Sequence, residues 1–398
     1  MKPAKKIDAI VSVWSNSPHQ PTGYGVQAGY LVDRLKRDGA DVAALSNYGL
    51  EGNNSVYESP YGPVPHYSRG FDPYSNDVLP IHHQHFVSKH KGKSVKDFIL
   101  TLYDVWVLRN PQLDEISIGS WVPMDHTTIP PRVLAWLQKP NVTPIAMAPN
   151  GVRMMQAMGL ECEYVPHGID TKIFKPTATV GKQPVREFMG ITDDQFLVGM
   201  VGANKANGSI HRKAYGENFL AFSLFAKKHP DAIMYVHADP AATLGGFNLL
   251  DLALSCGINK ENLLFPNMID LRYGFEQVDM AGFYSAMDVL LAPSYGEGFG
   301  IPTVEAQACG TRVIGSDWAA TPDLVSEDCF LVDGQPFWDD AQKSWFMIPS
   351  VPTIVKALEA AYEAPRGPSQ ASIDFAKQFD VETVWEKHWL PVLEKLSK

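Results

Sequence analysis

The sequence predicts an α/β protein made of two doubly wound domains. Three observations carry that prediction. Short apolar runs alternate with amphipathic stretches almost from end to end, the mark of stacked βαβ units around a parallel sheet. A chain of 398 residues exceeds one ordinary core but suits two of about 150 to 200 residues. The alternation also stops and restarts across residues 168–190, where Gly, Thr and Pro are scattered as in a linker. The expected domains are therefore 1–170 and 171–370, with helices over 371–398 crossing back to the first.

In the first half, strands are expected at 8–15, 41–46, 117–124, 143–149 and 162–167, each a short apolar run of strand length. Gly23-Tyr24-Gly25 opens an amphipathic helix directly after the first strand. Residues 48–96 carry Gly, Pro, Tyr and His in quantity with little periodicity, and long loops are expected there. The second half restarts with strands at 196–204, 232–239 and 262–267 and helices near 216–229 and 246–256. The runs 287–294 and 311–316 read as two further buried strands. Between them, Pro302 suits the first helical position, where a missing N–H has no intrahelical partner, and Gly310 suits the left-handed stop, so a helix is expected over 302–309.

Hydrophobic content of 45% and charged content of 20% are those of a soluble globular protein. No apolar stretch approaches the roughly 18 residues of a membrane span. The apolar run behind the basic start MKPAKK breaks at Trp14-Ser15-Asn16, so it reads as a first strand rather than a secretory signal, and a cytoplasmic location is expected. A formal charge of −10 disfavours a broad nucleic-acid or anionic-membrane footprint while leaving room for a local basic pocket. Cys162, Cys256, Cys309 and Cys329 are widely spaced, without a C-x-x-C pair, which points to neither a zinc site nor a disulfide framework. The trio His82, His83, His85 has no carboxylate or Cys partner at ligand spacing, so no metal is expected.

The chemistry concentrates in loops at the carboxyl ends of the expected strands, where open α/β sheets bind ligands. The loop YGEGFGIP sets Gly298-Phe299-Gly300-Ile301 at a helix N-terminus, a place for phosphate, with Glu297 before it and Glu305 expected in the first helical turn. Each acid also has a plainer reading, Glu297 as an exposed loop acid and Glu305 as a partner of the helix dipole. Asn204 and Lys205 end a strand, while Arg212 and Lys213 precede a helix, where Arg can grip two phosphate oxygens and Lys acts as a point charge. A solvated basic turn is the alternative. Gly23, Tyr24 and Gly25 form a phosphate or sugar cradle or a mere strand-to-helix turn, being neither a full G-x-G-x-x-G nor a P-loop. Asp125 and His126 follow another first-domain strand, where His can orient an acceptor hydroxyl or simply pack.

The stretch APSYGEGFGIPTVEAQACGTRVIGSDWAATPDLV resembles the glutamate-x7-glutamate region of retaining glycosyltransferases of family 4. VPHGIDTKIFKP resembles that family's interdomain strand and linker, and FYSAMDVLLAPS its helix and strand before the glutamate loop. The resemblance is strong over 160–330, weaker over 8–40 and 116–150, and absent from 48–96. It implies the GT-B fold, two Rossmann-like domains facing a central cleft, and a nucleotide-diphosphate sugar as donor substrate with no cofactor.

By position, Glu305 is similar to the residue that holds the ribose hydroxyls and Glu297 to the acid that contacts the donor sugar. The N–H groups of Gly298, Phe299, Gly300 and Ile301 would line sugar and phosphate. Lys213 is similar to the phosphate-binding lysine, Gly23-Tyr24-Gly25 to the first-domain glycine loop, and His126 to the acceptor-side histidine. The family's usual arginine after the opening glycine is replaced by Gly202-Ala203-Asn204, and Ala214 stands where a glycine follows the lysine. Arg212 is expected to supply the missing charge, which leaves the roles of Lys205, Arg212 and Lys213 open. Transfer with retention is implied, to a hydroxyl acceptor that is not readable: a glycan, protein, small molecule or modified nucleic acid. The basic segment 89–96 reads either as a solvated loop or as an approach for an anionic polymer. A GT-B binding protein, epimerase or phosphorylase without transferase activity is the rival reading, and the sequence does not reveal the oligomeric state.

Overall fold

The computed structural model describes residues 7–90, 92, 95–177, 179–180, 183–206, 210–243 and 245–398. Lys91, Lys93 and Ser94 of the basic segment, and the basic start at 1–6, lie outside the described residues. The chain forms two compact units. The first comprises 1–168, 341–344 and 381–398, the second 169–340 and 345–380. The return to the first unit thus comes at Val381, later than the expected 371, and the expected linker 168–190 falls almost wholly within the second unit.

The first unit is built on eight strands: β1 (Ala9–Asn16), β2 (Asp41–Tyr48), β3 (Ser55–Ser59), β4 (Gly62–Tyr67), β5 (Lys96–Leu102), β6 (Ile118–Val122), β7 (Val142–Ala146) and β8 (Glu163–Tyr164). Their order is β3-β4-β2-β1-β5-β6-β7-β8, parallel throughout except for the β3–β4 hairpin. β1 lies in the middle and its side chains are buried on both faces, the reason it reads as a continuous apolar run. Ile10, Trp14, Ala43, Leu45, Ile99 and Val122 belong to the core that this sheet builds.

Residues 48–96 are not the long loops expected from their composition. They hold the β3–β4 hairpin and the helix Leu79–Ser88, and β5 follows directly. β5 is the largest omission of the sequence reading, because KDFILT pairs with Ala9–Trp14 of the central β1. Its five last residues are buried. The run has strand length and apolar content, but the His- and Pro-rich stretch ahead of it hides the start of the βαβ unit. The C-terminal helical segment closes the first unit. Glu382 accepts from Arg34 and Arg37 at 2.8 Å each, and the Trp385 indole N–H donates to Asp38 at 2.7 Å.

The second unit has six parallel strands: β9 (Phe196–Val201), β10 (Ala232–His237), β11 (Leu263–Leu264), β12 (Val289–Leu291), β13 (Arg312–Ser316) and β14 (Phe330–Val332). Their order is β11-β10-β9-β12-β13-β14, with β9 and β12 adjacent at the centre. The chain winds outward one way from β9 and the other way from β12, so this pair is the topological switch point. The helix Tyr215–Ala226 seals one face by burying Phe219, Phe222 and Phe225 against Val198, Met234 and Val289. A two-stranded hairpin, β15 (Gly334–Asp339) and β16 (Ser344–Pro349), was not expected from the sequence.

Candidate functional site

The loops that leave β9 and β12 flank the switch point of the second unit, the place where an open parallel sheet leaves a crevice for ligands. They are tied to each other by the main chain. Tyr295 N–H donates to the Arg212 carbonyl at 2.8 Å, and the Asn218 side-chain amide donates to the carbonyls of Pro293 at 3.0 Å and Lys213 at 3.3 Å. Asn218 is wholly buried, so these bonds fix the register of the two loops in a low-dielectric setting. The Tyr295 hydroxyl adds a bond to Glu217 at 2.9 Å.

Ala214 caps the helix Tyr215–Ala226 in the left-handed conformation, with φ 51°. A non-glycine residue adopts this turn only at a steric cost. Gly202 at the end of β9 lies alongside the Lys213 stem: a Cβ there would stand 3.4 Å from Lys213 Cγ and Cδ.

Two cations converge on one acid. Lys213 Nζ lies 2.6 Å from Glu297 Oε1, and Arg212 Nη1 lies 2.9 Å from Glu297 Oε2. Arg212 also donates to the Gly296 carbonyl, which pins the loop that carries the acid. The Glu297 side chain is only 13% exposed. Burial by itself raises its pKa, but the charges of Arg212 and Lys213 overcome this and hold it down to about 2, so the carboxylate stays ionised.

The helix Ile301–Ala308 starts one residue before the expected position, with Gly300 as its cap at φ 91° and Pro302 near its start. Gly310 follows its end at φ 87°, as expected. Glu305 is the fifth helical residue and therefore sits in the second turn, which corrects the first-turn placement and removes the helix-dipole reading. It is half-buried, and Oε2 accepts a hydrogen bond from the Tyr284 hydroxyl at 2.9 Å. Burial pushes the Glu305 carboxyl up to about 7, with the Tyr284 bond working the other way. Phe299 is buried and packs edge-on to Phe379 at 5.6 Å, so in the glycine loop its side chain serves as an anchor. Gly298 is buried beside it, and Ile301 is half-buried at the first helical position.

Asn204 differs from expectation. Its amide nitrogen donates to the carbonyls of Asp239 and Phe247 at 2.7 Å each, and its oxygen meets His211 Nε2 at 2.9 Å and the Phe247 N–H at 3.0 Å. Both donors and both acceptor sites are filled, so the side chain staples two loops and has nothing left for a donor. Lys205 is exposed and forms no ion pair among the described residues, so the paired cations are Arg212 and Lys213.

The first-unit candidates form two groups. Thr22 caps the helix Gly23–Arg37 by accepting from the Gly25 N–H at 3.1 Å, so that N–H is already used. A Cβ on Gly25 would stand 2.3 Å from the Gln20 carbonyl oxygen, so glycine is required there by close packing. Gly23 is exposed and Tyr24 half-buried at the helix start. His126 is buried, and its Nδ1 lies 2.7 Å from Asp125 Oδ1. The histidine trio is dispersed. His82 Nε2 meets the Ser68 carbonyl, His83 bridges Ser12 and Asp97, and His85 meets the Tyr67 hydroxyl. Among the described residues, no group of three or more His, Cys, Asp or Glu gathers as a metal site, and no helix is long and apolar enough to cross a membrane.

Sequence reasoning missed Tyr284 and Asn218, which support Glu305 and the two loops. Tyr284 lies inside FYSAMDVLLAPS, but nothing local signals its reach to an acid 21 positions on.

Comparison with known proteins follows the same segments. The family described as "Glycosyl transferases group 1" matches residues 271–342. D-inositol 3-phosphate glycosyltransferase of Mycolicibacterium smegmatis is 27% identical over 224 residues, covering 54% of this chain and 44% of that enzyme. The chain thus matches under half the length of this curated relative. Among solved structures, sucrose-phosphate synthase from Thermosynechococcus elongatus superposes with a TM-score of 0.74 at 18% identity, covering 98% of this chain and 99% of that one. An alpha,alpha-trehalose-phosphate synthase (UDP-forming) from Burkholderia vietnamiensis gives 0.69 at 14% identity, covering 99% and 98%. The chain therefore has the GT-B fold of two Rossmann-like domains, and its segment 271–342, which holds both Glu297 and Glu305, matches the glycosyl transferases group 1 family.

Proposed function

We propose that this chain is a retaining glycosyltransferase that moves a sugar from a nucleotide-diphosphate sugar to a hydroxyl acceptor. The observation that carries the reading is the convergence of Arg212 and Lys213 on Glu297 at the switch point of the second unit. In transfer, the bond from the anomeric carbon to the diphosphate oxygen breaks and a bond to the acceptor oxygen forms. Negative charge then grows on the departing diphosphate. Arg212, Lys213 and the N–H groups of Gly298, Phe299, Gly300 and Ile301 stabilise it. Two cations and a helix start supply this charge without a divalent metal, so turnover undiminished by EDTA is the expected result.

Glu297, ionised across the working pH range, contacts the donor sugar, while Glu305 accepts hydrogen bonds from the ribose hydroxyls. His126 orients the acceptor. The Asp125 carboxylate lies 2.7 Å from its Nδ1 and holds the ring in place for that task.

The experiment is a screen of nucleotide sugars for hydrolysis and transfer, with mass detection of the released nucleoside diphosphate and anomeric assignment of the product. Release of the nucleotide by wild-type protein, lost in Lys213→Ala, supports the reading. Absence of release across the panel, or turnover by a folded Lys213→Ala variant equal to wild type, overturns it.

A further inference from the structure

We propose that Tyr284 is a positioning residue for nucleotide recognition: from beneath the Ile301–Ala308 helix, its hydroxyl holds one oxygen of Glu305 so that the other is presented to the ribose diol. This rests on the reading of Glu305 as the ribose ligand and adds the group that makes it competent.

The geometry separates an inner support from an outer ligand. Tyr284, on the helix Gln277–Ala286, is wholly buried, whereas Glu305 is half-buried. The Tyr284 main chain is fixed as well, since its carbonyl accepts from the Thr311 hydroxyl at 2.6 Å. Its own hydroxyl donates to Glu305 Oε2 at 2.9 Å. That is the one side-chain hydrogen bond Glu305 makes among the described residues, so Oε1 remains for a ligand.

Burial and the neighbouring carboxylate raise the Tyr284 pKa well above 10, so the hydroxyl stays a donor at any working pH. Burial pushes the Glu305 carboxyl up to about 7, and the Tyr284 bond opposes that push by favouring the ionised form. Among the described residues, the titratable groups facing the carboxyl are Tyr284 from the Gln277–Ala286 helix and Cys309 just past the end of its own helix, a thiol that burial keeps protonated. From the other packed elements, Arg312 of β13 is paired with Asp328, and Asp374 of the Gln370–Ala376 helix is paired with Lys377. Among the described residues no cation offsets the burial of Glu305, and the Tyr284 hydrogen bond is what opposes it. A protonated carboxyl has lost an acceptor that a ribose hydroxyl needs.

The test uses the full chain and measures binding of ADP, GDP and UDP, and of their 2′,3′-dideoxy counterparts, by calorimetry from pH 6 to 9. Thermal unfolding of each variant is followed in parallel. Wild type is expected to prefer the ribonucleotide, with affinity falling as pH drops through about 7. Tyr284→Phe is expected to weaken ribonucleotide binding about tenfold at pH 7, the size of one hydrogen bond to a charged group. It should recover most of this at pH 9 and leave dideoxy binding unchanged. On a Glu305→Gln background the same substitution should have no further effect on binding.

Equal losses for ribo and dideoxy ligands, or a loss independent of pH, would show a merely structural tyrosine and overturn the proposal. A wild type that binds ribo and dideoxy ligands alike, or neither, would overturn the Glu305 reading itself, which is a different result. Because the Glu305→Gln pair is read against its own parent, a destabilised Tyr284→Phe single variant does not shelter the idea.

Discussion

Lys213 Nζ and Glu297 Oε1 lie 2.6 Å apart, although 84 positions separate them in the chain. With Arg212 on the other carboxylate oxygen, the two cations best placed for a diphosphate are neutralised by the acid expected at the donor sugar. Under the proposed function, an incoming diphosphate would compete with Glu297 for its partners. Crowding two part-buried cations without a counter-charge would be costly, so the acid stabilises the unliganded site.

Lys213→Ala should lower turnover by about 3 kcal/mol of barrier, or roughly a hundredfold, by removing one charge from the leaving diphosphate. Folding should survive, because Glu297 keeps Arg212 as a partner and the Lys213 carbonyl still accepts from Asn218. Single-turnover kinetics with circular dichroism on the same sample is the check.

Glu297→Gln should have opposite effects on two observables. The unliganded variant melts lower, since Arg212 and Lys213 lose their shared carboxylate, yet it gains more thermal stability than wild type from a nucleoside diphosphate. Thermal shifts with and without the nucleotide decide it, and equal shifts would sink the competition.

The two glutamates should give pH-dependent stabilities of opposite sign. Glu297 titrates near 2 in the folded chain against an ordinary value of 4.5, so its contribution is complete above about 4.5 and is lost as pH falls towards 2. Its upper bound is about 3 kcal/mol. Glu305 is raised from 4.5 to about 7, so the folded state holds its proton more tightly, and stability is lost as pH rises between those values. Urea unfolding should show Glu305→Gln more stable than wild type at pH 8 and equal to it near pH 4.5.

Asn204→Ala should destabilise the second unit by about 3 kcal/mol, because it removes the partner of the Asp239 and Phe247 carbonyls, the Phe247 N–H and the buried His211 ring. Hydrogen exchange should rise in 239–247, the loop it staples. In the first unit, Gly25→Ala should cost several kcal/mol by the backbone clash at 2.3 Å, measurable as a lower melting temperature.

The elements legible in the sequence were those with local signals. The glycine and proline at the ends of the Ile301–Ala308 helix located it to within one residue, and β1, β9 and β13 stood out as buried apolar runs. β5 escaped because composition ahead of it imitates a loop, and the β15–β16 hairpin escaped because no turn signal was read there. Asn204 was placed in the right loop and given the wrong task, since whether a polar side chain faces a ligand or its own backbone depends on neighbours 35 and 43 positions away.

By itself, the sequence determined the parallel α/β layering, the loops that carry acids and cations, and the families it resembles, because strand length, helix stops and glycine loops are written over a few neighbouring residues. Only the tertiary structure decided that Arg212 and Lys213 meet Glu297 and that Tyr284 meets Glu305. The first contact exists because β9 and β12 are adjacent and the second because the helices before and after β12 pack together, and strand order is set by long-range burial that no local pattern encodes.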